Sequence, residues 1–168
     1  VRMVSQFYNQ DSGIERIRFN DGTYFYLSAL QFTTNGTNGN DRLYGISWGA
    51  NPDDTINGLG GDDAISGGRG NDVIDGGAGN DTLFGDEGDD TYKINAGEGV
   101  DKIFDSSGND RIIFGAGLSS ANMTMARDAV NTNDLNISFG GVLTTVVLDY
   151  FRIGGGGDLE TLQFADGS

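Results

Sequence analysis

The residues best placed to do chemistry in this chain are aspartates at a fixed interval. From Gly58 to Lys93 the sequence divides into nines: GLGGDDAIS, GGRGNDVID, GGAGNDTLF and GDEGDDTYK. Gly holds the first and fourth places, Asn or Asp the fifth, Asp the sixth and a large apolar residue the eighth. The same frame extends outward. Sixth-place carboxylates recur at Asp41, Asp54, Asp63, Asp72, Asp81, Asp90, Asp101 and Asp110. Eighth-place apolar residues accompany them at Leu43, Ile56, Ile65, Ile74, Leu83, Tyr92, Ile103 and Ile112, which makes eight units. Carboxylates beside the carbonyls of Gly-rich turns form an all-oxygen ligand set, and such sets suit Ca²⁺. Mg²⁺ fits less well, because it demands a small octahedral shell and keeps its water. Zn²⁺ would lack nitrogen and sulfur ligands here.

The elements that must position these carboxylates follow from the nine-residue period. About six residues rich in Gly, Asn and Asp make a turn, since Gly and Asn adopt positive φ at little cost. About three remain for a short strand with its middle side chain inward. One unit is then half a coil, and two units make one rung of a parallel β-roll. Units two apart stack at about 4.8 Å. Asp54, Asp72, Asp90 and Asp110 are therefore expected along one edge, and Asp41, Asp63, Asp81 and Asp101 along the other. Carboxylates stacked this closely repel by roughly 3 kcal/mol per pair at an effective dielectric of about 20. The metal-free roll is expected to be unfolded or nearly so, and a cation between turns reverses the sign of that term. Two spacings break the period. Four extra residues fall between Asp41 and Asp54, and two between Asp90 and Asp101.

Composition narrows the classes. The chain has 168 residues, with 29 Gly, one Pro and a net charge of −15. With so little basic charge, nucleic acid is not an expected partner. There is no Cys and no His, so disulfides, thiolate sites and imidazole catalysis are excluded. No apolar run approaches the ~18 residues of a membrane-spanning helix, and no signal peptide is visible. An enzyme in this window would have to work with carboxylates alone, so no enzyme is expected here, although a longer parent could be one.

On either side of the repeat the pattern is ordinary β-structure. In the head, Val1–Val4 reads as the tail of a strand. Ile14, Ile17 and Phe19 mark another, and Tyr24–Leu27 returns from the turn Asn20-Asp21-Gly22-Thr23. Ser28–Phe32 reads as one helical turn, and Thr33–Gly39 as a polar approach to the roll. In the tail, strands are expected over Met123–Arg127, Leu135–Phe139, Val142–Leu148 and Leu159–Phe164, with turns at Asn131–Asp134 and Gly140-Gly141. The resulting division is residues 1–34 as an N-terminal β flank, 35–115 as the roll and 116–168 as a C-terminal antiparallel β cap. Head and tail also match each other: Ile14–Thr23 aligns with Leu159–Ser168, and Met3–Phe7 with Val147–Phe151. That match is expected of a window cut from an array with a period of roughly 145 residues, whose neighbours would be tandem modules.

The nines resemble the RTX, or haemolysin-type, calcium-binding nonapeptide. Gly67–Asp75 and Gly76–Phe84 match it at every defined place. Gly58–Ser66 carries Leu59 at the second place, and Gly85–Lys93 carries Asp86 there and Tyr92 at the apolar place. The resemblance spans residues 36–113. It implies a right-handed parallel β-roll holding about four to six Ca²⁺ in its turns. The implied metal-holding set comprises the eight sixth-place aspartates together with Gly58, Gly60, Gly67, Arg69, Gly70, Gly76, Ala78, Gly79, Gly85, Glu87 and Gly88. It also implies secretion from a bacterium by a type I system. The tail is similar to the haemolysin-type calcium-binding related domain.

The expected function is a calcium-dependent folding and spacer module. The alternative is a module that binds a glycan, receptor or host-cell surface in an RTX toxin or adhesin, or an accessory part of a secreted protease, lipase or polysaccharide-modifying enzyme. For that alternative, Trp48 and Tyr44 are the aromatics to watch, although Trp48 is expected to pack on the flank of the roll. Phe84 and Phe104, at stacked ninth places, form an apolar pair that residues 118–164 are expected to fold over. Glu15 and Glu160, equivalent in head and tail, are expected to hydrogen-bond turns.

Overall fold

Strands of three to six residues, separated by Gly-rich turns, wind the chain into two facing parallel sheets. A computed structural model describes residues 16–18, 24–26, 32–46, 53–147 and 159–165. One sheet holds β3 (Phe32–Asn35), β5 (Asp54–Asn57), β7 (Val73–Asp75), β9 (Thr91–Ile94) and β11 (Asp110–Phe114). The other holds β4 (Arg42–Tyr44), β6 (Ala64–Arg69), β8 (Thr82–Glu87) and β10 (Asp101–Phe104). From β3 to β11 successive strands alternate between the sheets, and strands two apart in sequence pair in parallel. A parallel ladder needs a crossover between its strands, and here each crossover is a strand of the opposite sheet.

Register puts the eighth-place residues in two inward columns. Ile56 lies beside Ile74, Ile74 beside Tyr92 and Tyr92 beside Ile112. Across the core, Leu43, Ile65, Leu83 and Ile103 stack likewise. All of these but Leu43 are fully buried. Burying such a side chain contributes about 1.5–3 kcal/mol. The irregular spacings do not disturb the stack. Ladder partners lie 18 residues apart in the regular coils, 22 where four residues are added and 20 where two are added. The strands on either side of each addition keep their register.

The roll begins earlier than the sequence pattern suggests. Thr33–Asn35, expected as a polar approach, belong to β3, where Thr34 pairs with Ile56 at the inward place. A ladder needs only backbone groups, so an outermost strand can carry Thr where the interior needs Ile. Phe32 is likewise in a strand rather than a helical turn; Ser28–Leu30 lie outside the described residues, as do Val1–Val4, Glu15 and Trp48. The expected head hairpin is present as β1 (Arg16–Arg18) paired antiparallel with β2 (Tyr24–Tyr26).

In the tail, β12 (Met123–Arg127), β13 (Leu135–Phe139) and β14 (Val142–Val147) form the expected antiparallel meander. Its β14 adds to the edge of β10 in parallel, with Ile103 beside Val147. The last strand, β15 (Leu159–Phe164), adds to β11, with Phe114 beside Phe164. The tail thus continues both sheets by one further rung, because the last strands of the roll would otherwise expose unpaired N–H and C=O groups. The rings of Phe84 and Phe104 stack at 4.9 Å and remain half-buried. The open end of the core is filled by Phe114, Phe139 and Phe164, whose ring centroids lie 4.9 to 6.2 Å apart. Among the described residues, no helix is long and apolar enough to cross a membrane.

Candidate metal centre

Each turn edge of the roll carries a ladder of aspartates. The N–H of each sixth-place Asp donates to Oδ1 of the sixth-place Asp one coil later. Asp54 donates to Asp72 and Asp72 to Asp90, both at 2.7 Å, and Asp90 donates to Asp110 at 2.8 Å. On the other edge Asp41 donates to Asp63 and Asp63 to Asp81 at 2.8 Å, and Asp81 donates to Asp101 at 3.1 Å. These are the two edges expected from the period. A second ladder runs beside each, in the opposite sense, through the fifth place. Asn80 N–H donates to Asp62, Asn71 to Asp53, Asp89 to Asn71 and Asn109 to Asp89. The fifth place is Asn or Asp because only these put a side-chain oxygen within reach of the next turn's backbone.

The sixth-place ladder leaves one oxygen without a partner on six of the eight carboxylates. Oδ2 of Asp63, Asp72, Asp81, Asp90 and Asp110 is buried and meets no donor among the described residues, and the same holds for Oδ1 of Asp54. Buried polar atoms without partners are rare and costly, and a file of them in register marks a candidate cation site. The first-place Gly residues border the same atoms. A Cβ on Gly58, Gly67, Gly76 or Gly85 would collide with Oδ2 of Asp63, Asp72, Asp81 or Asp90 respectively. On Gly58 it would also strike the Gly76 carbonyl, and on Gly67 the Gly85 carbonyl. Carboxylate oxygens and turn carbonyls therefore share one cradle that only Gly leaves open. Its donor set is all oxygen and anionic, which fits Ca²⁺.

The fourth place is Gly for a related reason. Gly79 and Gly88 have φ of 146° and 134°, and a Cβ on either would overlap the fourth-place carbonyl of the preceding coil. The third-place residues pack the turns on one another: Gly60 bridges to Ala78, and Arg69 pairs with Glu87. The Arg69–Glu87 ion pair, at 3.3 Å, is exposed on both sides and contributes little.

Electrostatics agree with a pocket of carboxyl groups held out of reach of water, where charge is costly without a partner. Burial pushes the Asp72 and Asp81 carboxyls up to about 6, Asp101 and Asp110 to about 7 and Asp90 to about 8. Neighbouring carboxylates add to the rise, and the ladder hydrogen bonds oppose it. Asp54 and Asp63 are raised by burial as well.

The ends of the ladders differ from the middle. Asp41 is half-exposed, and its Oδ2 already accepts from the Thr37 N–H and hydroxyl, at 2.6 and 2.9 Å. Asp54 Oδ2 accepts from Ile46 N–H at 2.6 Å. At the far end Asp110 N–H donates to Glu160 Oε2 at 2.5 Å. Glu160 holds a turn, as expected, and it does so by taking the next aspartate's place in the ladder. On the other edge, Asp101 pairs in register with Thr145, which is fully buried and whose hydroxyl meets no partner among the described residues, so the ladder stops at Asp101. On the edge of Asp90 and Asp110, Asp105 and the Tyr92 hydroxyl face the same pocket, and the nine-residue pattern does not single them out. Asp105 stands where the pattern wants Gly, and Tyr92 where it wants an aliphatic residue.

A family model described as the RTX calcium-binding nonapeptide repeat matches in four copies, over residues 35–45, 48–74, 57–92 and 93–118. No curated protein matches the chain.

Proposed function

We propose that this chain, whose residues 35–45 and 48–118 match the RTX calcium-binding nonapeptide repeat, is a calcium-triggered folding and spacer module of an exported bacterial protein. Repeats of this family bind calcium and serve a structural role. The observation that carries the proposal is the file of buried carboxylate oxygens without donors at Asp63, Asp72, Asp81, Asp90 and Asp110. Without a cation these charges oppose the coil that brings them together. With one they tie each coil to the next. A metal that binds only the folded state adds its binding free energy to folding.

Calcium is scarce inside a cell and abundant outside it. A module with dissociation constants of about 10⁻⁴–10⁻³ M stays unfolded during export and folds on arrival. Partial occupancy still favours the coil, because each inner aspartate contacts two neighbouring turns. On this reading the roll holds about four to six ions. The test is circular dichroism of the full chain in EDTA, followed by a calcium titration. The expected outcome is a weak β signal in EDTA that rises cooperatively with calcium and does not rise with magnesium at the same concentration. A full β signal that persists in EDTA refutes the switch.

A further inference from the structure

The turn leading into β11 breaks the nonapeptide rule at its first place, where Asp105 replaces Gly. One carboxylate oxygen from each of Asp90, Asp105 and Asp110 lies within 4.8 Å of the other two. Among the described residues, this is the one place where three such groups converge. Asp90 and Asp110 are fully buried, and Oδ2 of each meets no donor among the described residues.

Asp105 is held in place from two sides. Its Oδ1 accepts from the N–H groups of Ser106 and Ser107, at 2.6 and 3.3 Å. Its Oδ2 accepts from the Tyr92 hydroxyl at 2.5 Å. Tyr92 alone among the eighth-place residues carries a polar atom. Its ring fills the inward column, and its hydroxyl leaves the core at this turn, 3.3 Å from the Phe104 carbonyl. Asp90 Oδ2, Asp105 Oδ2 and the Tyr92 hydroxyl crowd Gly85 so closely that a Cβ there would overlap all three. One phenol proton cannot neutralise three carboxylates, and carboxyls this close ionise together only when a cation sits among them.

We propose that Asp90, Asp105 and Asp110 form a tricarboxylate Ca²⁺ site at the C-terminal end of the roll, with Asp105 as a side-chain ligand and Tyr92 as its positioning residue. The middle turns bring together fewer carboxylates and depend more on backbone carbonyls. Affinity for hard cations rises with the number of charged ligands and with rigidity, so this site is the tightest in the roll. It also favours trivalent over divalent ions more strongly than its neighbours do. The proposal rests on the calcium reading of the roll and adds a ligand that the repeat does not supply.

Terbium tests it, because a phenol hydrogen-bonded to a ligand of the ion sensitises its luminescence. Titration of the full, calcium-free chain with Tb³⁺ under tyrosine excitation is expected to show a tight first phase. Tyr92→Phe abolishes most of that emission. Asp105→Gly restores the repeat's own residue, and Asp105→Asn keeps the shape without the charge. Each is expected to weaken the tight phase by about tenfold or more, leaving the later calcium sites and the calcium-saturated β signal unchanged. A tight phase unaltered in both Asp105 variants overturns the proposal while the calcium module stands. A wild-type chain that binds no calcium at any site overturns both.

Discussion

The middle coils and the tail are built from the same short strands, yet different forces hold them. From Gly58 to Lys93 each unit has one fully buried apolar side chain and one buried aspartate. In the tail, Leu135, Ile137, Phe139, Val147, Leu159 and Phe164 are buried close together, with few buried polar groups among them. The tail satisfies the usual demand for an apolar core, whereas the middle leaves that demand half met and adds charge to the deficit. On the proposed reading its coil depends on a cation, and the tail offers an edge for the coil to rest on that does not.

Beyond calcium withdrawal, the largest way to probe this contrast is acid. In the metal-free fold the Asp72, Asp81, Asp90, Asp101 and Asp110 carboxyls are raised to between about 6 and about 8 by burial. Unfolded, they titrate near 3.9. A group raised in the folded state favours folding below its unfolded value, and that advantage disappears as pH climbs through its folded value. The calcium-free chain is therefore expected to gain β signal when the pH is lowered from 8.5 to 4.5. In calcium the dependence inverts, since protons displace the metal. Thermal melts in calcium-free buffer at several pH values check this, and a melting temperature that rises with pH contradicts it.

A smaller effect isolates the tail. Phe114→Ala removes the ring that joins Phe139 and Phe164 to the last coil, and should cost about 3–5 kcal/mol. Measured by denaturant unfolding in saturating calcium, a loss below about 1 kcal/mol would mean that the plug does not support the roll. The smallest effect lies in the middle. Leu59 has φ of 76° at a second place where Gly68 and Gly77 also have positive φ, and its side chain is half exposed. Leu59→Gly should relieve the strain and stabilise the calcium-loaded roll by about 1 kcal/mol. Asp86 shares the strain, with φ of 75°, but it accepts from Ser66 Oγ at 2.6 Å, so its replacement has an offsetting loss.

The middle was the more legible region. A strict period fixes which residues face inward and which share an edge, so the columns of Ile65 and Leu83 and both aspartate ladders could be read from spacing. Legibility failed where a residue acts outside its place in the period. Thr34 carries no apolar signal, yet it sits inward beside Ile56. Tyr92 counts as apolar by position, and only the turn it reaches makes its hydroxyl matter. The tail strands were visible as alternating segments. Their parallel docking was not, because β14 and β15 meet their partners across long sequence separations that no local pattern encodes.

The ladder that ends on Glu160 has a consequence for how such a chain can change length. Its hydrogen bonds join every second unit, with partners 18 residues apart in the regular coils. Inserting or deleting two nonapeptides together slides the tail along the axis and leaves Glu160 facing an aspartate and Thr145 facing the opposite edge. Inserting one nonapeptide exchanges the edges and presents each tail strand to the wrong sheet. The heritable quantum of growth is thus the full coil, although the sequence advertises half of it.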